Sequence, residues 1–143
     1  VIPSIRFFFE GVSCIVTNKR KHQAWIKEVI LQEGRDPGNI NFIFCTDQAL
    51  FEMNSLYLEH DTFTDVISFD LSDPSEVKAP VDGEVYISLD RVKENAQQFN
   101  VSVDEEIQRV MVHGILHLLG YDDGTPALKK AMKAKEDHYL QQF

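Results

Sequence analysis

This sequence predicts an α/β (α+β) fold in a single domain, and three observations predict it. Short runs rich in aromatic and β-branched residues alternate with longer segments whose apolar residues recur at helical spacing. The chain has 143 residues, 43% of them hydrophobic and 26% charged, an ordinary balance for one globular domain with its own core. No repeat, low-complexity tract or linker interrupts the order. We therefore expect residues 1–143 to form one domain, with a mixed, mostly four-stranded sheet packed with helices.

The elements follow in order. Ile5–Phe9 and Cys14–Val16 read as extended segments. Lys21–Glu33 places Trp25, Ile26, Val29 and Ile30 on one helical face and stops at Gly34. Ile40–Cys45 alternates with a strand period, after which Asp47 is expected to cap a helix running to about Tyr57. Val66–Leu71 is a strand. The loop Ser72–Val81, with Asp73-Pro74 and Pro80, is expected to be mobile and to cover a cleft. Glu84–Leu89 is a further strand, Asp90–Phe99 a helix, Val103–Leu119 a long apolar helix and Pro126–Gln141 a closing helix. Asp104, Glu105 and Glu106 put acid at the first turn of the apolar helix, where the dipole favours it. Trp25 and the phenylalanine cluster are expected to belong to the core and not to a base-stacking platform.

Chemistry concentrates in the run His113-Gly-Ile-Leu-His117-Leu-Leu-Gly120-Tyr-Asp122-Asp123. Histidines at i and i+4 lie one turn apart on one helical face, so both rings can reach a single ion. Gly120 stands where a helix turns into a left-handed cap, bringing the chain back so that Asp123 closes a third side. Two ring nitrogens and one carboxylate form a first shell for zinc or a similar cation, with a coordination position left open, which is the catalytic pattern. The surrounding Ile107, Val110, Met111, Val112, Ile115 and Leu116 make this a central buried helix. Buried histidines need partners, and satisfied core histidines are the alternative to a metal site. The spacing also resembles that of metzincin proteases, but the base those enzymes carry after the first histidine is replaced by Gly114. A zinc metalloprotease is therefore the weaker alternative.

The same residues resemble the YbeY family of bacterial ribosomal-RNA maturation endoribonucleases. HGILHLLGYDD matches that family's H-G-x-L-H-L-x-G-Y-D-H. Asn54, Tyr57, Asp61 and Thr64-Asp65-Val66-Ile67-Ser68-Phe69 match N-x2-Y-R-x2-D-x2-T-D-V-L-S-F, and Gly83-Glu84-Val85-Tyr86-Ile87-Ser88 matches G-D-I-x-I-S. Three ordered blocks, in a chain of the family's own length, make the resemblance close to full-length.

The resemblance implies a metal-dependent endoribonuclease acting on single-stranded RNA, in small-subunit ribosomal-RNA maturation and ribosome biogenesis. It implies Zn2+ or another divalent metal, one per chain, held by His113, His117 and Asp123. Asp122, Thr64 and Ser68 are motif-supporting residues. Three departures stand out: Asp123 replaces the family's third histidine, Leu58 replaces its arginine, and Glu84 replaces an aspartate. An anionic ligand weakens the ion as a Lewis acid and moves preference toward harder metals such as manganese or iron. Leucine cannot clamp a phosphate as an arginine does. Asp122 is the competing ligand assignment, and His60 and His138 are further donors that the fold could bring in. Asp65 is a candidate for orienting a ligand histidine, against a plain turn role. Asp65 and Glu84 are the candidate catalytic carboxylates, with Asp82 in the same neighbourhood, and no general base is identifiable. With the arginine and third histidine gone, a non-catalytic ribosome-associated metal- and RNA-binding factor is the rival reading.

A net charge of -9 is unusual for a protein that holds RNA, so a local basic surface is needed. Lys19-Arg20-Lys21-His22 and the set Lys129, Lys130, Lys133 and Lys135 are the candidates, with solvated helix faces the alternative. Of these, Lys129, Lys130 and Lys133 are the candidate RNA contacts. Cys14 and Cys45 show no C-x-x-C spacing and are expected to be reduced. The Ile5–Phe9 run is too short for a signal peptide, and no stretch reaches transmembrane length. The expected location is the cytoplasm, with ribosomal RNA or the small ribosomal subunit as partner and neither DNA nor a membrane.

Overall fold

The computed structural model describes residues 3–58 and 64–143. Its elements are β1 (Ile5–Phe9), α1 (Lys19–Gln32), β2 (Pro37–Cys45), α2 (Asp47–Leu58), β3 (Val66–Asp70), β4 (Val81–Ser88), α3 (Leu89–Phe99), α4 (Val103–Leu118) and α5 (Pro126–Leu140). The strands form one four-stranded sheet in the order β1-β2-β4-β3. β1, β2 and β4 run parallel, and β3 pairs antiparallel with β4, so the sheet is mixed as expected.

Strand period decides which face each residue joins. Ser68 pairs with Val85, and Ile67 with Tyr86, so these two pairs point to opposite faces of the sheet. The face of Phe42, Val85 and Ile87 is buried under α4 and α1, with Trp25, Val29, Met111 and Ile115 in the same core. The opposite face, with Ile67, Phe69 and Tyr86, packs with Leu50 and Met53 of α2. Gly114 lets α4 approach the first face. A Cβ there would lie 2.5 Å from Val85 Cγ1 and 3.2 Å from Ser68 Oγ. The Ser68 hydroxyl uses that closeness to donate to the Gly114 carbonyl at 3.0 Å, tying β3 to α4.

Four expectations are corrected. Cys14–Val16 is not a strand, and Cys14 is exposed; an apolar tripeptide without a ladder partner has nowhere to put its backbone bonds. Asp47 is the first residue of α2 and not its cap; the Thr46 hydroxyl accepts from the Ala49 N–H at 3.1 Å. α1 opens at Lys19, earlier than expected, behind Asn18 in a left-handed conformation. The segment 72–81 lines neither cavity described below, because β3 and β4 carry it to the far end of the sheet. Trp25 is core, and its indole N–H donates to the Tyr139 carbonyl at 2.8 Å. Both cysteines are free, and no helix among the described residues is long and apolar enough to cross a membrane.

Candidate metal centre

α4 begins where Ser102 accepts from the Glu105 N–H at 3.1 Å and ends in a left-handed glycine turn. Gly120, at φ 100°, donates to the His117 carbonyl, and Tyr121 donates to the Leu116 carbonyl. This is the Schellman arrangement, and it reverses the chain just past the second histidine. Asp122 tightens the next step, accepting from the Asp123 N–H at 2.7 Å and the Gly124 N–H at 3.1 Å. Its carboxylate is thereby committed to the turn, and Asp123 is the residue turned back toward α4.

His113, His117 and Asp123 offer ligand atoms that all lie within 4.8 Å of one another. The two Nε2 atoms stand 3.1 Å apart. Asp123 Oδ2 stands 3.5 Å from His113 Nε2 and its Oδ1 3.5 Å from His117 Nε2. Edges of about 3.3 Å belong to a tetrahedron with metal–ligand bonds of about 2.0–2.1 Å, so the spacing suits a zinc-sized ion. The ring tautomer suits one too. His113 Nδ1 lies 2.6 Å from Glu136 Oε2, and a carboxylate can only accept, so Nδ1 carries the proton and the Nε2 lone pair faces the other two donors. Burial disfavours charge on His113, but the hydrogen bond and charge of Glu136 outweigh it and raise the pKa of the ring.

Glu136 in turn is held by Arg109, whose Nη1 is 2.9 Å from Glu136 Oε1 and whose Nη2 is 2.6 Å from Asp137. Arg109 and Glu136 were not singled out from the sequence, and Glu106 was read only as acid in the first turn of α4. One signal was present: Glu136 shares a helical stripe with the buried Met132 and Tyr139, and an acid on a buried stripe needs a partner. Asp65, expected to orient a histidine, does not perform that duty. Its carboxylate takes a long 3.5 Å bond from Asn95 Nδ2, and burial pushes its pKa up against the pull of the His113 ring.

The centre lies in a cleft of about 900 Å³ bounded by α3, α4, α5 and the start of β3. A second cavity continues past His117 toward Asn54 and Asp70, sharing Thr64, Ser68, Asp123 and Lys129 with the first. Among the described residues the groove therefore runs on from the three donors in both directions. Lys129 and Lys133 line it, whereas Lys130 points to solvent and Lys135 binds Glu33 at 3.0 Å. His138 meets Gln142 at 3.2 Å, away from the centre. His60 and Asp61, and the side chains of Tyr57 and Leu58, lie outside the described residues. Glu84 sits on the strand position facing away from α4, with the Tyr86 hydroxyl 3.5 Å away, and the sheet separates it from the donors. Asp82 is used by the Asn39 N–H at 2.6 Å. The basic run of α1 is also elsewhere: His22 is buried, and Lys21 lies 4.5 Å over the Phe143 ring.

The endoribonuclease YbeY family model matches residues 12–143, which include every side chain of this centre. The chain belongs to the endoribonuclease YbeY family. The endoribonuclease YbeY of Flavobacterium psychrophilum is 50% identical over 119 residues, covering 83% of this chain and 82% of that one. The endoribonuclease YbeY of Cytophaga hutchinsonii is 41% identical over 137 residues, covering 96% and 94%. A Thermotoga maritima protein solved in solution superposes with a TM-score of 0.62 at 29% identity, over 96% of this chain and 87% of its own. Within this family fold, the position where a metzincin carries its glutamate faces the sheet. A side chain at 114 would run into Val85, so the peptidase alternative has no room for its base.

Proposed function

We propose that the protein is a metal-dependent endoribonuclease that cuts single-stranded RNA, in the maturation of small-subunit ribosomal RNA in the cytoplasm. The observation that carries this reading is the convergence of His113, His117 and Asp123 at the junction of two cavities, in a chain of the YbeY family. A groove continuing on both sides of the centre suits a strand passing through it, and so an internal cut. His113, His117 and Asp123 are the proposed ligands of one divalent ion, zinc by donor set and spacing. Such an ion supplies Lewis-acid polarisation of the phosphodiester and a readily ionised water.

The protein's own groups do the rest. Glu136 fixes the His113 tautomer and ring direction. Lys129 and Lys133 hold backbone phosphates along α5, which reconciles an acidic chain with an RNA substrate. Asp65, beside the centre and lacking a strong partner, is the group to move a proton during attack and departure.

The test compares cleavage of a ribosomal-RNA precursor fragment by metal-loaded wild type and by His117→Ala prepared identically. Cleavage by wild type alone supports the reading. Folded, metal-bound wild type that binds the fragment without cutting it supports the non-catalytic factor instead. Equal cleavage by both proteins removes the site from the account.

A further inference from the structure

The end of the cleft remote from Asp123 has a different chemistry from the centre. α4 presents Glu106, Val110, His113 and His117 along one stripe, and all four line the cleft. Glu106 is seven residues, or roughly 10 Å, up the helix from His113. It is only 4% exposed, yet its carboxyl makes no hydrogen bond or ion pair among the described residues. Its oxygens are not sealed from solvent but open onto the cleft, where a hydrogen-bonding group can complete them. Across from it α3 contributes Asn95 and Phe99, one turn apart on a single face. Phe99 leaves 61% of its surface exposed, and Asn95 has only its long bond to Asp65.

The electrostatics choose the occupant. Glu105, joined by Glu106 and Asp65 when these are ionised, repels a phosphate here, and Arg109 is already neutralised by Glu136 and Asp137. The cationic wall of the groove is the one formed by Lys129 and Lys133 on α5. A strand held by its phosphates on that wall turns its bases toward α3. An aromatic face and a hydrogen-bonding carboxyl-amide pair are what an unstacked base meets in single-strand RNA recognition.

We propose that Glu106, Asn95 and Phe99 form a nucleobase subsite: Phe99 stacks on the base of a nucleotide adjoining the cut, and Glu106 with Asn95 reads the edge carrying an exocyclic amino group. The inference rests on the endoribonuclease reading for the identity of the polymer. Adenine, cytosine and guanine present such an amino group. Uracil carries carbonyl oxygens at both exocyclic positions, with its single edge donor, N3–H, between them, so an ionised Glu106 set against the exocyclic group meets an oxygen and the subsite disfavours uracil.

The experiment measures fluorescence anisotropy of labelled pentaribonucleotides on the metal-loaded protein, with a gel of each sample recording cleavage. An all-uridine strand is compared with strands carrying one adenosine, cytidine or guanosine at successive positions. Wild type is expected to bind the best-placed amino-bearing strand about tenfold more tightly than the all-uridine strand. Glu106→Ala abolishes that difference. Glu106→Gln keeps a carbonyl acceptor for an amino group but adds an amide donor that a uracil carbonyl can accept, so it narrows the difference by tightening the all-uridine strand, separating edge reading from a change of charge. Phe99→Leu weakens every strand by about tenfold and leaves the preference intact. A wild type without base preference, or a preference that survives Glu106→Ala, overturns the subsite. A Glu106-dependent preference without cleavage supports the subsite while the catalytic reading falls. Cleavage without that preference does the reverse.

Discussion

Glu136 on α5 accepts a 2.6 Å hydrogen bond from His113 Nδ1 on α4, and so a residue outside the histidine motif decides which ring nitrogen faces Asp123. Glu136→Gln is expected to lower metal affinity by about 10–100-fold, read by competition with a chromogenic chelator. The larger Glu136→Ala change also leaves Arg109 with one partner fewer. It is expected to destabilise the fold by about 1–3 kcal/mol in chemical denaturation.

Asp123 is the anionic member of the proposed ligand set. Asp123→His is expected to make the bound ion a stronger Lewis acid and to shift the alkaline rise of the pH–rate profile toward lower pH. Asp123→Ala should lose metal on gel filtration and cut RNA at least a hundredfold more slowly. An unchanged profile in Asp123→His and retained metal in Asp123→Ala would remove Asp123 from the ligand set.

Gly114 is a packing requirement. Gly114→Ala drives a methyl to within 2.5 Å of Val85 Cγ1 and is expected to destabilise the protein by about 1–3 kcal/mol. Trimming the obstacle in Gly114→Ala/Val85→Ala should recover part of that loss, measured as the shift of the denaturation midpoint. No interaction between the two substitutions would show that the contact does not govern the approach of α4.

Burial, with the nearby Asp65 charge adding to it, pushes the Glu106 carboxyl up to about 7 from an ordinary value of 4.5. The folded state thus holds this proton more tightly than the unfolded chain. The neutral acid carries no penalty below pH 4.5, and stability falls as pH rises from there through 7. Glu106→Gln is therefore expected to raise stability at pH 8 by on the order of 1–3 kcal/mol and to change little at pH 4.5. Equal effects at both pH values would contradict the raised pKa.

Lys129 and Lys133 line the groove one turn apart on α5. The double change to alanine is expected to weaken single-stranded RNA binding across sequences. Its log–log salt slope should flatten by about 1.4, the value for two lost phosphate contacts. A slope identical to wild type would mean that these lysines are a solvated helix face.

How much was legible in advance differs from element to element. Helical spacing in 21–33 and 103–119 and alternation in 40–45 located α1, α4 and β2 to within two residues at the helix ends, because burial of one face imposes a period on local sequence. His113, His117 and Asp123 were found for a similar reason: one helical turn and a glycine reversal bring them together with no long-range contact. The extended segment at Cys14–Val16 failed because a strand needs a partner, and three apolar residues do not specify one.

The sequence by itself determined most of the elements, the motif that gathers three candidate metal ligands, and the family, all of which depend on spacing along one chain. Only the tertiary structure decided that Glu136 and Arg109 stand behind His113, that the sheet cuts Glu84 off from the site, and that Glu106 and Phe99 line one cleft. Those relations join helices and strands far apart in the chain. A carboxylate's role is set by what packs against it, and no local period records which element that will be.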